Sequence, residues 1–149
     1  MQSRKIIAGV DEVGRGSLVG SVVSAAVILS DNISTENFKD SKKLTKKKRI
    51  IIANSIIQMS LCVSVGIANK EEIDFMNIHN ATLLSMKRAI NNLYIKPDLV
   101  LVDGIHSPDT DIECRSIIKG DDKIKQISAA SIIAKVARDF EMNFIDTKY

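Results

Sequence analysis

The sequence predicts a mixed α/β layer fold, and three observations carry that expectation. Short runs rich in Val, Ile and Ala recur along the chain, segments with helical start and stop signals separate them, and no repeat, low-complexity tract or Pro/Gly/Ser-rich linker divides the succession. With 149 residues the chain has the length of about one domain that buries roughly two-thirds of its unfolded surface, so a single unit over 1–149 is expected.

Lys5 to Val10 and Val22 to Leu29 read as buried strands, with the Gly-rich stretch between them as a turn. Thr45 stands as the N-cap of a helix running to about Met59, and Leu61 to Ala68 alternates as a strand does. Asn69 and Glu72 form a capping-box pattern that opens a short helix. A longer helix covers Ile78 to Leu93 and is closed off by Pro97, with His79 and Asn80 read as structural residues on it. Leu99 to Val102 is an apolar strand that delivers Asp103 and Gly104 at its C-terminal end, and Ile127 to Phe144 is a final, largely buried helix whose opening serines, Ser128 and Ser131, read as caps. Trp is absent, so the core is expected to be aliphatic.

The N-terminal apolar run is only five residues long before Asp11, too short for a signal segment or a membrane span, and a cytosolic protein with no membrane partner is expected. Cys62 and Cys114 have no partner at zinc-ligand spacing and read as reduced core residues. The net charge of +3 is unevenly spread, because Lys42, Lys43, Lys46, Lys47, Lys48 and Arg49 fill six of eight positions. Such a run is either a solvated helix face or a phosphate-sized field that binds a polyanion without regard to sequence.

The informative acids stand where acid is unfavourable. Asp11 and Glu12 follow the apolar run IIAGV, Asp103 follows LVLV, and Asp121 follows SIIKG. Two carboxylates at about 4 Å repel by roughly 4 kcal/mol at an effective dielectric of 20. A cluster of strand-end carboxylates therefore needs a cation, and oxygen ligands of this kind suit Mg2+ or Mn2+, which bind water and phosphate oxygens as well. Taken singly, each acid is as well explained as a strand or turn terminus; the shared context of the four points to convergence.

Of seven glycines, Gly9, Gly14, Gly16 and Gly20 crowd around Asp11 and Glu12, while Gly104 and Gly120 adjoin Asp103 and Asp121. They read either as ordinary tight turns or as a cleft lined by backbone, where Gly14, Arg15 and Gly16 present N–H groups to a phosphate or ribose. GVDEVGRG fits the frame of a phosphate-cradling loop, but Arg15 and Gly16 replace its Lys and Ser/Thr, and two carboxylates inside it repel phosphate. Asp109, Asp111 and Glu113 resemble half a calcium loop in which Cys114 stands where Gly is required.

The segments GVDEVGRGSLVGSVVSAAVIL, DSKKL, NIHNATLLSMKRAI, LVDG and KGDDKIKQISAASIIAKVARD occur in that order, and the chain resembles bacterial ribonuclease HII, the type 2 ribonuclease H, over almost its whole length. The resemblance implies a ribonuclease H-like mixed sheet flanked by helices and use of Mn2+ or Mg2+. It also implies cleavage of the RNA strand of RNA–DNA hybrids and incision 5′ of ribonucleotides embedded in duplex DNA. By match of motif, Asp11, Glu12, Asp103 and Asp121 would be the metal-binding catalytic carboxylates. Gly14, Arg15 and Gly16 would read the ribose 2′-hydroxyl, and Lys42 and Lys43 would lie near the substrate backbone. For Lys135 and Asp139, four apart on the last helix, two readings stand: Asp139 positions a lysine or a metal-bound water, or the two form an intrahelical ion pair worth a few tenths of a kcal/mol.

The family continues beyond the position of Tyr149 with a segment containing a HKGY-like motif, whose tyrosine packs against the deoxyribose after the ribonucleotide. Two hypotheses follow: an active metal-dependent endonuclease, or a nucleic-acid-binding module that keeps the carboxylates but turns over poorly for want of that clamp.

Overall fold

Short runs of Val, Ile, Leu and Ala, buried on both faces in the middle of the sheet, build the layer from which the rest is hung. The computed structural model describes residues 4–14, 20–31, 38 and 43–148, the side chains of 142–148 excepted. Its elements run β1 (Ile7–Val13), β2 (Val22–Leu29), α1 (Lys46–Met59), β3 (Ser60–Ala68), α2 (Lys70–Asn92), β4 (Leu99–Asp103), β5 (Glu113–Ile117), α3 (Gly120–Lys123) and α4 (Lys125–Lys148). The strands form one mixed sheet in the order β3-β2-β1-β4-β5. β1 pairs antiparallel with β2, and β2 with β3, whereas β1–β4 and β4–β5 are parallel. This is the mixed sheet with flanking helices that the sequence predicts.

Two aliphatic clusters cover the two faces. Ala25, Val27 and Leu29 of β2 pack with Ala53 and Ile56 of α1 and with Ala129, Ile132 and Ile133 of α4 on one side. Ala8 and Val10 of β1, Ala26 and Ile28 of β2, and Val100 and Val102 of β4 meet Met86, Ala89 and Ile90 of α2 on the other. Each fully buried Val or Ile contributes about 1.5–3 kcal/mol, so β1 and β4 are held mainly by their apolar neighbours and not by the acids that follow. Gly9 makes the close approach of α4 possible, since a Cβ there would lie 2.2 Å from the backbone carbon of Gln126.

Several expectations are corrected. β1 does not stop at Val10 but runs through Asp11 and Glu12 to Val13, kept in extended pairing with Ala25, Ser24 and Val23 of β2. β5 and the short α3 were not foreseen: β5 is an edge strand with few apolar residues, Glu113–Ile117, and α3 has only four residues. α4 begins at Lys125, which places Ser128 and Ser131 inside the helix as buried residues and not at its cap. Thr45 caps α1 by accepting the Lys48 N–H at 3.2 Å, and the Asn69–Glu72 capping box forms in both directions. The helical run after it is broken at Asn77, which has φ 73 and ψ 166; its Oδ1 accepts the Asn80 N–H at 3.0 Å and so caps the second half. Cys62 and Cys114 are both free thiols, the first buried and the second half-buried. No helix among the described residues is long and apolar enough to cross a membrane.

Candidate active site

The parallel register of the two central strands decides where the acids meet. Val10 of β1 pairs with Val102 of β4, so Asp11 and Asp103 are the next residues on adjacent strands, at their C-terminal ends. Successive strand side chains point to opposite faces. Ala8 and Val10 belong to the α2-side cluster while a Cβ on Gly9 would point into the start of α4, so Asp11 faces the α3–α4 side and Glu12 the α2 side.

Asp121 arrives from the other direction, in the first turn of α3. Lys119 adopts the left-handed conformation, φ 55 and ψ 40, to make that turn. The backbone N–H of Asp121 donates to Oδ1 of Asp103 at 3.2 Å, and the hydroxyl of Ser128, one turn into α4, donates to the Asp121 carbonyl. Gly120 packs closely here: a Cβ would sit 2.5 Å from Cδ1 of Ile127, which would have to shift, and 3.4 Å from Oδ1 of Asp103. Glu12 and Asp103 line a cavity of about 180 Å3 whose opposite wall carries His79 and Thr82 of α2, with His106 at its rim. A larger hollow of about 260 Å3 lies beside Lys96 and Pro97, at the other end of β4. Ligands of sheets with parallel strands bind at the carboxyl ends, which is where the acids are.

Asp11 is only 6% exposed. Burial first, and then the negative charge of Asp103, push its carboxyl up to about 8, with Glu12 and Asp121 adding to the rise. The Glu12 N–H, 2.8 Å from Oδ1, opposes the shift without cancelling it. Four carboxylates thus stand close enough to repel. Among the described residues no three acidic, His or Cys side chains are already drawn around one point at ligand distance. The donor set is oxygen, with Glu12, Asp103 and Asp121 partly exposed, and its charges repel, which fits a hard divalent ion that keeps several waters.

The remaining candidates fall around this cluster. Gly14 leaves β1 with φ 106, and Gly20 re-enters β2 with φ 95. The buried Arg138 guanidinium of α4 lies against both: a Cβ on Gly14 would be 3.0 Å from its Nε, and one on Gly20 would be 2.8 Å from its Nη2. Ser21 donates its hydroxyl to Glu141 of the same helix. The final helix therefore grips both ends of the glycine loop, a role that sequence reasoning missed and that only the pairing of a buried Arg with glycines reveals. Arg15, Gly16 and Lys42 lie outside the described residues. Lys43 is exposed just before α1, and Lys46, Lys47 and Lys48 are exposed on its first turn. Lys135 is half-buried on α4; Asp139, one turn on, pairs with Arg49 of α1 at 4.0 Å. Asn80 is structural at the helix break, as read from the sequence, but His79 beside it lines the acidic cavity.

Comparison with known proteins agrees with the fold. The family model for ribonuclease HII matches residues 8–149. A ribonuclease HII of Shewanella halifaxensis (strain HAW-EB4) is 56% identical over 142 residues, covering 95% of this chain and 70% of that protein. The crystal structure of ribonuclease H2 from Pyrococcus horikoshii OT3 superposes with a TM-score of 0.84 at 29% identity, covering 96% of this chain and 76% of that one. Bst ribonuclease HIII in complex with Mn2+ shares the fold, with a TM-score of 0.79 at 20% identity over 97% of this chain and 55% of that one. With the family model matched from β1 to the last residue and more than half of the residues shared with a curated relative, this chain belongs to the ribonuclease HII family of metal-dependent endoribonucleases.

Proposed function

We propose that this protein hydrolyses the RNA strand of RNA–DNA hybrids and nicks duplex DNA 5′ of embedded ribonucleotides, within one catalytic domain, at a divalent centre held by Asp11, Glu12, Asp103 and Asp121. The observation that carries the reading is the burial of Asp11 beside Asp103, with Glu12 and Asp121 raising its carboxyl further, because a bound divalent cation offsets such mutual repulsion and keeps all four acids ionised. Mg2+ or Mn2+ at this place supplies the lowered water pKa and the positive charge needed for in-line displacement at a phosphodiester. The Mn2+ seen in the Bst ribonuclease HIII complex supports the same ion class here.

The protein's own contribution is placement. β1 and β4 fix Asp11 and Asp103, and Ser128 and Asp103 hold the Asp121 backbone. Gly14, which lies against Arg138, is proposed to meet the ribose 2′-hydroxyl together with Arg15 and Gly16. Lys42 and Lys43, followed by Lys46 to Lys48, are proposed to meet the phosphate backbone. Three lysines in the first turn of α1 oppose the positive end of the helix dipole, a local cost that contact with a polyanion reverses. The Asp139–Arg49 pair favours a role for Asp139 in holding α1 against α4 over one at the ion.

The test is incubation of the protein with a duplex carrying one ribonucleotide, in Mn2+, in Mg2+ and in chelator, with the product ends mapped. Metal-dependent nicking on the 5′ side of the ribonucleotide is expected. Tight duplex binding with no nicking in either ion sinks the hydrolytic reading and leaves a binding module.

A further inference from the structure

The only two histidines in the chain, His79 and His106, converge on the carboxylate cavity. His79 enters it from α2, just after the break at Asn77, and His106 from the loop three residues beyond Asp103. Their ring centres are 4.7 Å apart with the planes at 80°, and the same cavity is lined by Glu12 and Asp103. The break that places His79 is not free: Asn77 has φ 73 and ψ 166, a backbone region that costs on the order of 1–3 kcal/mol for a residue other than glycine.

Two imidazoles on one divalent ion bind through nitrogens at about 2.0–2.1 Å; each ring centre is then roughly 3.2 Å from the ion, and N–metal–N angles of about 90–110° set the centres roughly 4.5–5.2 Å apart. The observed separation falls inside that span. A plain ring contact explains the separation too, but not why both rings share a small cavity with carboxylates. Imidazole selects borderline ions such as Zn2+ and Ni2+, whereas carboxylate and water select Mg2+ and Mn2+.

We propose that His79 and His106 form a two-imidazole site for a borderline divalent ion of the Zn2+ class, completed by water or by a carboxylate of Glu12 or Asp103 that swings toward it. An ion there places two positive charges on the wall of the acidic cavity and draws on its oxygen ligands. It therefore competes with the hard ion and slows Mg2+-supported nicking. The binding site stands on the histidine geometry alone, and the inhibition rests on the hydrolytic reading given above.

The experiment is titration of the full chain with Zn2+ alone, followed by calorimetry and by the nitrogen and proton resonances of the two imidazoles, in the parent and in His79→Gln and His106→Gln. The expected result is one Zn2+ that shifts both imidazoles, with affinity at least tenfold weaker in each variant. The Zn2+ concentration that halves Mg2+-supported nicking should rise by a similar factor. His106 is exposed, so His106→Gln keeps the test open if His79→Gln fails to fold. Unchanged Zn2+ affinity in the folded variants, or Zn2+ binding that leaves the imidazole resonances in place, overturns the site. Zn2+ binding that follows the histidines in a protein with no Mg2+- or Mn2+-dependent nicking supports the site and removes the hydrolytic reading instead.

Discussion

Oδ1 of Asp103 accepts the backbone N–H of Asp121 at 3.2 Å, so one acid of the cluster orients the segment that carries another. Asp103→Asn keeps an oxygen acceptor at that place and removes a negative charge from beside Asp11. Nicking is expected to fall at least about 100-fold, as for loss of a group that stabilises developing charge. At pH 8 and above, where Asp11 is ionised, the protein in chelator is expected to gain on the order of 1 kcal/mol, because like-charge repulsion is relieved. Thermal melts in chelator, read beside nicking rates in Mn2+, check both halves; a less stable variant contradicts the repulsion argument.

The elevated Asp11 carboxyl sets a pH dependence. A group whose folded value, about 8, lies above its ordinary value of 3.8 stabilises the fold in its protonated form. That contribution is complete below about pH 3.8 and is lost as pH rises through about 8, with an upper bound of roughly 5–6 kcal/mol. In chelator, the parent should therefore lose stability relative to Asp11→Asn between pH 4 and pH 8, and Mg2+ or Mn2+ should restore it at the upper end. Urea unfolding of both proteins across that range, with and without the ion, measures the difference; a difference independent of pH sinks the proposal.

The exposed lysines of α1 act on binding and not on chemistry. Replacing Lys46, Lys47 and Lys48 with Ala should weaken duplex binding and reduce the slope of log affinity against log salt by up to about one for each phosphate that a lysine no longer neutralises. Nicking at saturating duplex should change little. Binding measured at several salt concentrations decides it, and an unaltered slope returns this helix face to solvated surface.

Arg138 and Gly20 should behave as one unit. Ala at Gly20 would put Cβ 2.8 Å from Nη2 of Arg138 at a φ of 95, so Gly20→Ala should cost about 1–3 kcal/mol and slow nicking about tenfold. Arg138→Ala frees the same loop and should slow nicking by a comparable factor. The double variant should be less impaired than the sum, with a coupling of about 0.5–3 kcal/mol. A double-mutant cycle on stability and nicking rate reads the coupling directly, and strict additivity removes the clamp.

Much of this was legible in the sequence because the signals were local. Thr45, the Asn69–Glu72 box and the apolar runs of β2 and β4 each specify an element from neighbours within a few residues. The break at Asn77 fell where the expected long helix began. β5 was not legible: Glu113, Cys114, Arg115 and Ser116 offer no apolar face, and the strand exists because Val100 and Val102 present an open edge beside it. The four acids were visible as acids out of place, but the means of holding them were not. The hydroxyl of Ser128 reaches back to Asp121 and the guanidinium of Arg138 reaches across to Gly14 and Gly20, and both contacts join segments whose proximity only the fold creates. The two histidines were read as ordinary residues of their elements because nothing in the linear order brings His79 to His106.

The pairing of Val10 with Val102 has a consequence for how the acids respond to motion. Both residues are fully buried in the centre of the sheet, and amide protons in such places exchange with solvent only when the whole molecule opens. Asp11 and Asp103 are attached one peptide further along the same two strands, so their spacing is inherited from the slowest-exchanging part of the molecule. Local opening elsewhere in the molecule therefore leaves the distance between these two carboxyl-bearing positions untouched.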